Sequence, residues 1–222
     1  AGGGEPHYDV GVTGLSVLAF VGAGHTHLDG EHAEVVRRAL RFLESQQDSE
    51  GCFGPRKGKF LYNHSIATYA LARDAYFTLS DILLPILQRS VDFLAESQSP
   101  GKGWRYKVGG ALSDTAETGW AILALVAAEK AGARVPKETL AGARRWIEEV
   151  TNESTGHAGY LSHLDRGARL KDLSEKYPVH ETMTAVAMTS RYLLGGRKGD
   201  QVLARGAGLL SNDLPKWDAT PG

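Results

Sequence analysis

The chain has 222 residues, of which 42% are hydrophobic and 23% charged, with a formal net charge of −1. It is long enough to bury a sizeable core, and it lacks the bulk positive charge that would draw it to nucleic acid or an anionic membrane. Its single cysteine, Cys52, excludes an intramolecular disulfide and any multi-cysteine metal cluster, and fits a reducing compartment.

Residues 1–8, beginning AGGG, read as a linker or an expression remnant, followed by one repeat domain over 9–214 and a tail over 215–222. No apolar run is long enough to span a bilayer and no signal peptide is visible, so a soluble protein of unassigned compartment is expected.

From residue 9 onward the helices come in pairs. The first member of each pair is small and apolar on most sides: TGLSVLAFVGAG (13–24), HSIATYALARDA (64–75), TGWAILALVAAEKAG (118–132) and TAVAMTSRYLLGG (184–196). Such helices are buried against neighbours all round. The second member is amphipathic. Val35, Ala39, Phe42 and Leu43 form one helical stripe, and Leu87, Val91 and Leu94, then Leu140, Ala143 and Ile147, repeat it. The basic runs VVRRALR and GARRW on these helices are solvated faces. VPKET (135–139) puts Pro136 just inside a helix start. No period-two alternation is present, so the fold class is all-α.

Each pair closes on a recurring turn. FLESQQDSEGCFG (42–54) and FLAESQSPGKGW (93–104) match at a single offset of 51, pairing Gln47 with Gln98 and Phe53 with Trp104. A third copy, GARRWIEEVTNESTGHAGY, has Thr151 in place of the Gln and ends in Gly159 and Tyr160; a fourth, GLLSNDLPKW, is degenerate. Aligning Gly14, Ser65, Gly119 and Ala185 gives spacings of 51, 54 and 66, the last stretched by HLDRGARLKDLSEKYP (163–178). The two series stay in step, which marks a repeat architecture whose pairs bury their apolar faces only by stacking. In that scheme Gly51, Gly103 and Gly159 turn the chain. Gln47 and Gln98 satisfy backbone groups at a helix end, and Phe53, Trp104 and Tyr160 plug the turn.

An aromatic–Leu pair followed by Gln, a glycine turn and Trp or Phe resembles the QW-type repeat of the squalene–hopene cyclase and protein prenyltransferase β-subunit superfamily. The resemblance covers roughly residues 10–215 and implies an α/α toroid, with inner helices around a cavity and outer helices around them. Lys102 departs from the pattern at a glycine position, and the third copy lacks its Gln. Four pairs are fewer than such toroids usually have, so an open horseshoe or incomplete ring is expected, with terminal faces that favour self-association.

The chemistry-bearing strings of the resembling families are absent: there is no D-x-D-D, no D-D-x-x-D and no Gly-Cys-Gly-Glu-Gln, and Asp48 and Cys52 stand four apart within a repeat turn. His25 and His27 in GHTH read as a loop. Parallel inner helices would gather Asp9, Asn63, His64, Asp114, Glu117, His180 and Glu181 at one mouth. These residues are caps and dipole partners on one reading. On the other, His64, Glu117, His180 and Glu181 are acid–base groups or ligands of a divalent metal. Tyr69 and Trp120 lie on inner helices and join Asn63, His64, Asp114, Glu117, His180 and Glu181 as candidate binding residues. The expected function is a binding or interaction module for an apolar small molecule or peptide, without a cofactor or nucleic acid. An enzyme with a His/carboxylate site at the mouth is the alternative.

Overall fold

A computed structural model of the chain describes residues 4–165, 180–212 and 214. After a 3-10 turn at Pro6–Tyr8 come eight described α-helices: α1 (Asp9–Gly22), α2 (Ala33–Ser45), α3 (Phe60–Thr78), α4 (Leu84–Glu96), α5 (Thr115–Lys130), α6 (Lys137–Glu149), α7 (Thr182–Leu193) and α8 (Gln201–Asn212). Among the described residues there is no strand. Isolated antiparallel bridges join Gln47 to Phe53, Trp104 to Asp114 and Thr151 to Ala158. Most of the insert at 163–178 and the tail at 215–222 lie outside the described residues.

The odd-numbered helices form an inner row, α1 on α3, α3 on α5 and α5 on α7. The even-numbered helices form an outer layer: α2 on α1, α4 against α3 and α5, α6 against α5 and α7, and α8 on α7. This is the alternating inside-and-outside order of an α/α toroid. The two ends of the row, α1 and α7, are not packed on each other, so the described helices make an open arc.

Sequence explains both layers. Helices α3 and α5 bury residues on most sides, because Ala, Gly, Ser and Thr let neighbouring backbones approach. A Cβ at Gly14 would stand 3.0–3.2 Å from Ile66 and Ala67, and one at Gly119 would stand 2.4 Å from Val186. The outer helices bury one stripe. In α2 it is Val36, Leu40 and Leu43, one position round from the predicted Val35 and Ala39, and Val35 is exposed. In α4 it includes Leu87, Val91 and Leu94 as predicted, and in α6 Gly142, Ala143, Trp146 and Ile147. Pro136 is the N-cap of α6 and not its first helical residue. The segment read as a linker is also part of the fold from Pro6 onward, since the His7 carbonyl accepts a bond of 2.9 Å from Asn63 Nδ2.

The repeating turn is a set of ties. Gln47 Nε2 donates to the Gly51 carbonyl at 3.2 Å and to Ile86 in the first turn of α4 at 3.0 Å. Gln98 does the same to Lys102 at 2.6 Å and to Thr139 in the first turn of α6 at 2.8 Å. Each Gln therefore joins its own turn to the next outer helix. Gly51 has φ +94° and approaches the Arg89 carbonyl so closely that a Cβ would stand 2.2 Å from it. Gly103 serves a different need from positive φ: its missing Cβ makes room for Thr118.

One repeat assignment moves. The Phe53 N–H donates to His64 Nδ1, Trp104 N–H to Thr118 Oγ1 and Ala158 N–H to Thr184 Oγ1, each at 3.0–3.1 Å. The third plug position is thus Ala158 and not Tyr160, because the third turn carries an extra residue. Phe53, Trp104 and Ala158 are all buried.

Candidate functional site

The inner helices run in the same direction. Near their starts Ser65 on α3 meets Glu117 on α5, and near their ends Arg73 and Tyr76 lie beside Ala127 and Lys130. Residues about 54 apart therefore stand side by side, and the stripe 62, 66, 69, 73, 76 of α3 faces the same way as 116, 120, 123, 127, 130 of α5. This is the inner face, turned away from the outer helices.

At the head of α5, Asp114 is the N-cap, accepting the Glu117 N–H at 2.8 Å. Glu117 is fully buried and its Oε1 is 3.0 Å from Ser65 Oγ, while Oε2 has no hydrogen-bond partner among the described residues. Burial pushes the Glu117 carboxyl well above the usual carboxylate range, with the Asp114 charge adding to the shift. Asp114 is raised as well, again by burial. Around this pair stand Tyr62, whose hydroxyl is 3.5 Å from Asp114 Oδ1, and Arg105, whose Nε is 3.6 Å from Oδ2. The Tyr160 hydroxyl faces the same carboxylate and shares a 2.7 Å bond with Tyr106. Burial next to Asp114 pushes the phenols of Tyr62 and Tyr160 up.

The other predicted mouth residues go elsewhere. His64 is fully buried, with Nδ1 accepting from Phe53 and Nε2 donating to the Ser90 carbonyl at 3.0 Å, which fixes a neutral ring. Burial lowers its pKa to about 4. Asn63 holds His7. His180 Nδ1 accepts from the Thr182 N–H at 3.3 Å, and Glu181 pairs with His157 Nδ1 at 2.9 Å and with Thr184. His64, Glu117, His180 and Glu181 thus serve three separate repeat turns, and among the described residues their hydrogen bonds given above go to different groups. Asp9 opens α1. Among the described residues no three His, Cys, Asp or Glu side chains come together as a metal site requires. Burial also raises the Cys52 thiol to about 12, so it is not a thiolate at neutral pH.

Below the mouth, α5 and α7 leave a groove of about 280 Å³ walled by Ala116, Gly119, Leu123, Ala185 and Val186, with half-buried Trp120 in it and Thr189 and Ser190 along one side. Tyr69, also half-buried, stands at the level of Leu123. Sequence reasoning found Asp114, Glu117, Tyr69 and Trp120 but missed Tyr62, Tyr106 and Arg105. A signal was available: Tyr106 and Tyr160 occupy the same repeat position, 54 apart and each two residues beyond its plug.

A family model described as the squalene-hopene cyclase C-terminal domain matches residues 5–159, more than half of the chain. No curated protein and no solved structure gives a significant match. Among the described residues no helix is long and apolar enough to cross a membrane.

Proposed function

The chain belongs to the squalene-hopene cyclase C-terminal domain family, and from that premise we propose that it is a binding module that holds an apolar small molecule against its inner face. The observation that carries this reading is the groove between α5 and α7, apolar on its walls and floored by a half-buried tryptophan. Covering about 150 Å² of a ligand's apolar surface there would contribute roughly 4 kcal/mol before the costs of association. Trp120 also supplies a rigid, polarisable contact for such a ligand.

The alternative is an enzyme that uses the carboxyl pair as a proton donor. It is favoured by the buried Glu117, whose carboxyl burial pushes well above the usual carboxylate range and whose Oε2 has no hydrogen-bond partner among the described residues. A set built on His64, His180 and Glu181 has no geometric support, since His64 is engaged in the first turn while His180 and Glu181 are engaged at the start of α7.

The test is binding of dodecanol, a neutral chain, followed by tryptophan fluorescence. Thr189 is exposed on the groove wall, so Thr189→Trp should fill the space, weaken binding at least about tenfold and leave the fold intact by circular dichroism. Equal binding by the variant would overturn the groove as the site. Chemical conversion of a bound polyene, detected by mass spectrometry, would replace the binding reading by the enzymatic one.

A further inference from the structure

The inner face has a second end, away from the mouth. There Arg73 on α3 and Lys130 on α5 flank a recess of about 90 Å³ closed by Tyr76 and Ala127. Neither cation makes an ion pair with any described residue; Arg73 has only the ring of Phe77, 4.7 Å from its guanidinium carbon. The acid next to Arg73 in sequence gives no relief, because Asp74 is buried and held by His27 through Nδ1 and the backbone N–H. Two like charges across a small recess repel each other unless an anion joins them. The ends of α3 and α5 carry the negative pole of the helix dipole, which suits a lone cation, but two full charges outweigh those partial ones.

The recess, between α3 and α5, and the groove, between α5 and α7, meet on the inner face of α5. Trp120 and Leu123 in the groove and Ala127 and Lys130 in the recess lie on one stripe of α5, at i, i+3, i+7 and i+10. Resting on the binding reading above, we propose that the ligand is a single-chain amphiphile with an anionic head, its head between Arg73 and Lys130 and its chain running up the inner face past Leu123 and Trp120. From Arg73 to the level of Tyr62 is eleven residues (73 − 62). At 1.5 Å per residue that is about 16 Å, the length of an extended chain of about twelve carbons. Arg presents a planar fork and Lys a point charge, a pair able to hold a carboxylate or a phosphate.

Three twelve-carbon probes test this by titration calorimetry below their micelle concentrations: dodecanoate, dodecyl phosphate and dodecanol. The expected result is that at least one anion binds about tenfold or more tightly than the alcohol, a preference that weakens with added salt. The double variant R73Q/K130Q should remove the preference while leaving dodecanol affinity unchanged. Whichever anion binds more tightly identifies the head group as carboxylate or phosphate. Equal binding of alcohol and both anions overturns this inference and leaves the groove reading standing, as does a preference that survives R73Q/K130Q. Anion binding that is indifferent to Thr189→Trp overturns the shared path and the groove together.

Discussion

Glu117 shows how one buried acid shapes the response to pH. Its folded pKa lies well above the ordinary 4.5, so between those two values the folded protein binds a proton that the unfolded chain releases. Stability therefore falls as pH rises through that window, by up to about 1.4 kcal/mol per pH unit. Glu117→Gln removes the ionisation and keeps a polar partner for Ser65 Oγ. It should flatten the fall in urea midpoint between pH 5 and pH 8 and leave the variant at least as stable as the parent at pH 8. An unchanged slope would mean that Glu117 is ionised in the fold. His64 acts with the opposite sign: its folded value near 4 lies below that of a free imidazole, so its contribution is lost as pH falls from about 6.5 toward 4.

Among elements, the turns do the joining. Gln98 binds a carbonyl of its own turn and one in the first turn of α6, so Gln98→Ala should cost about 1–2 kcal/mol, read as a lower urea midpoint. A loss under a few tenths would show that water replaces the amide at both carbonyls. The pairing of Gln47 with Gln98 and of Phe53 with Trp104 was legible because both turns have the same length. The third turn was misread because Gly156 lies in a longer loop and Tyr160 is the first Phe, Tyr or Trp after it. The Ala158 N–H bond to Thr184 and the Thr151–Ala158 bridge place the plug correctly. The chemistry was less legible than the fold. A histidine at a helix start looks the same in sequence whether it faces a ligand or, like His64, braces a neighbouring backbone. Arg105 is one of three cations in a glycine-rich loop, with Lys102 and Lys107, and nothing local assigns it to the Asp114 carboxylate 3.6 Å away.

For the whole molecule, an open row has unequal ends and middle. Helices α3 and α5 have inner neighbours on both sides, while α1 and α7 have one each among the described helices. In a stacked repeat, stability follows the number of interfaces a unit makes. Native-state hydrogen exchange should therefore be slowest in α3 and α5 and fastest in α2 and α8, each packed on a single inner helix. Uniform protection across all eight would instead indicate one all-or-none unit. That the molecule is a two-layer helical arc was readable from the offsets of 51 and 54. Which residues share a level on its inside was not, since that depends on how far each helix slides along its neighbour.

The common direction of the inner helices makes their lining adjustable one tier at a time. Ile66 and Trp120 share one level of the inner face and Tyr69 and Leu123 the next, so exchanging a matched pair would reshape that level while leaving those above and below it in place. A change of ligand length or girth thus calls for substitutions at one rung only, and the outer scaffold with its glutamine clasps can stay as it is.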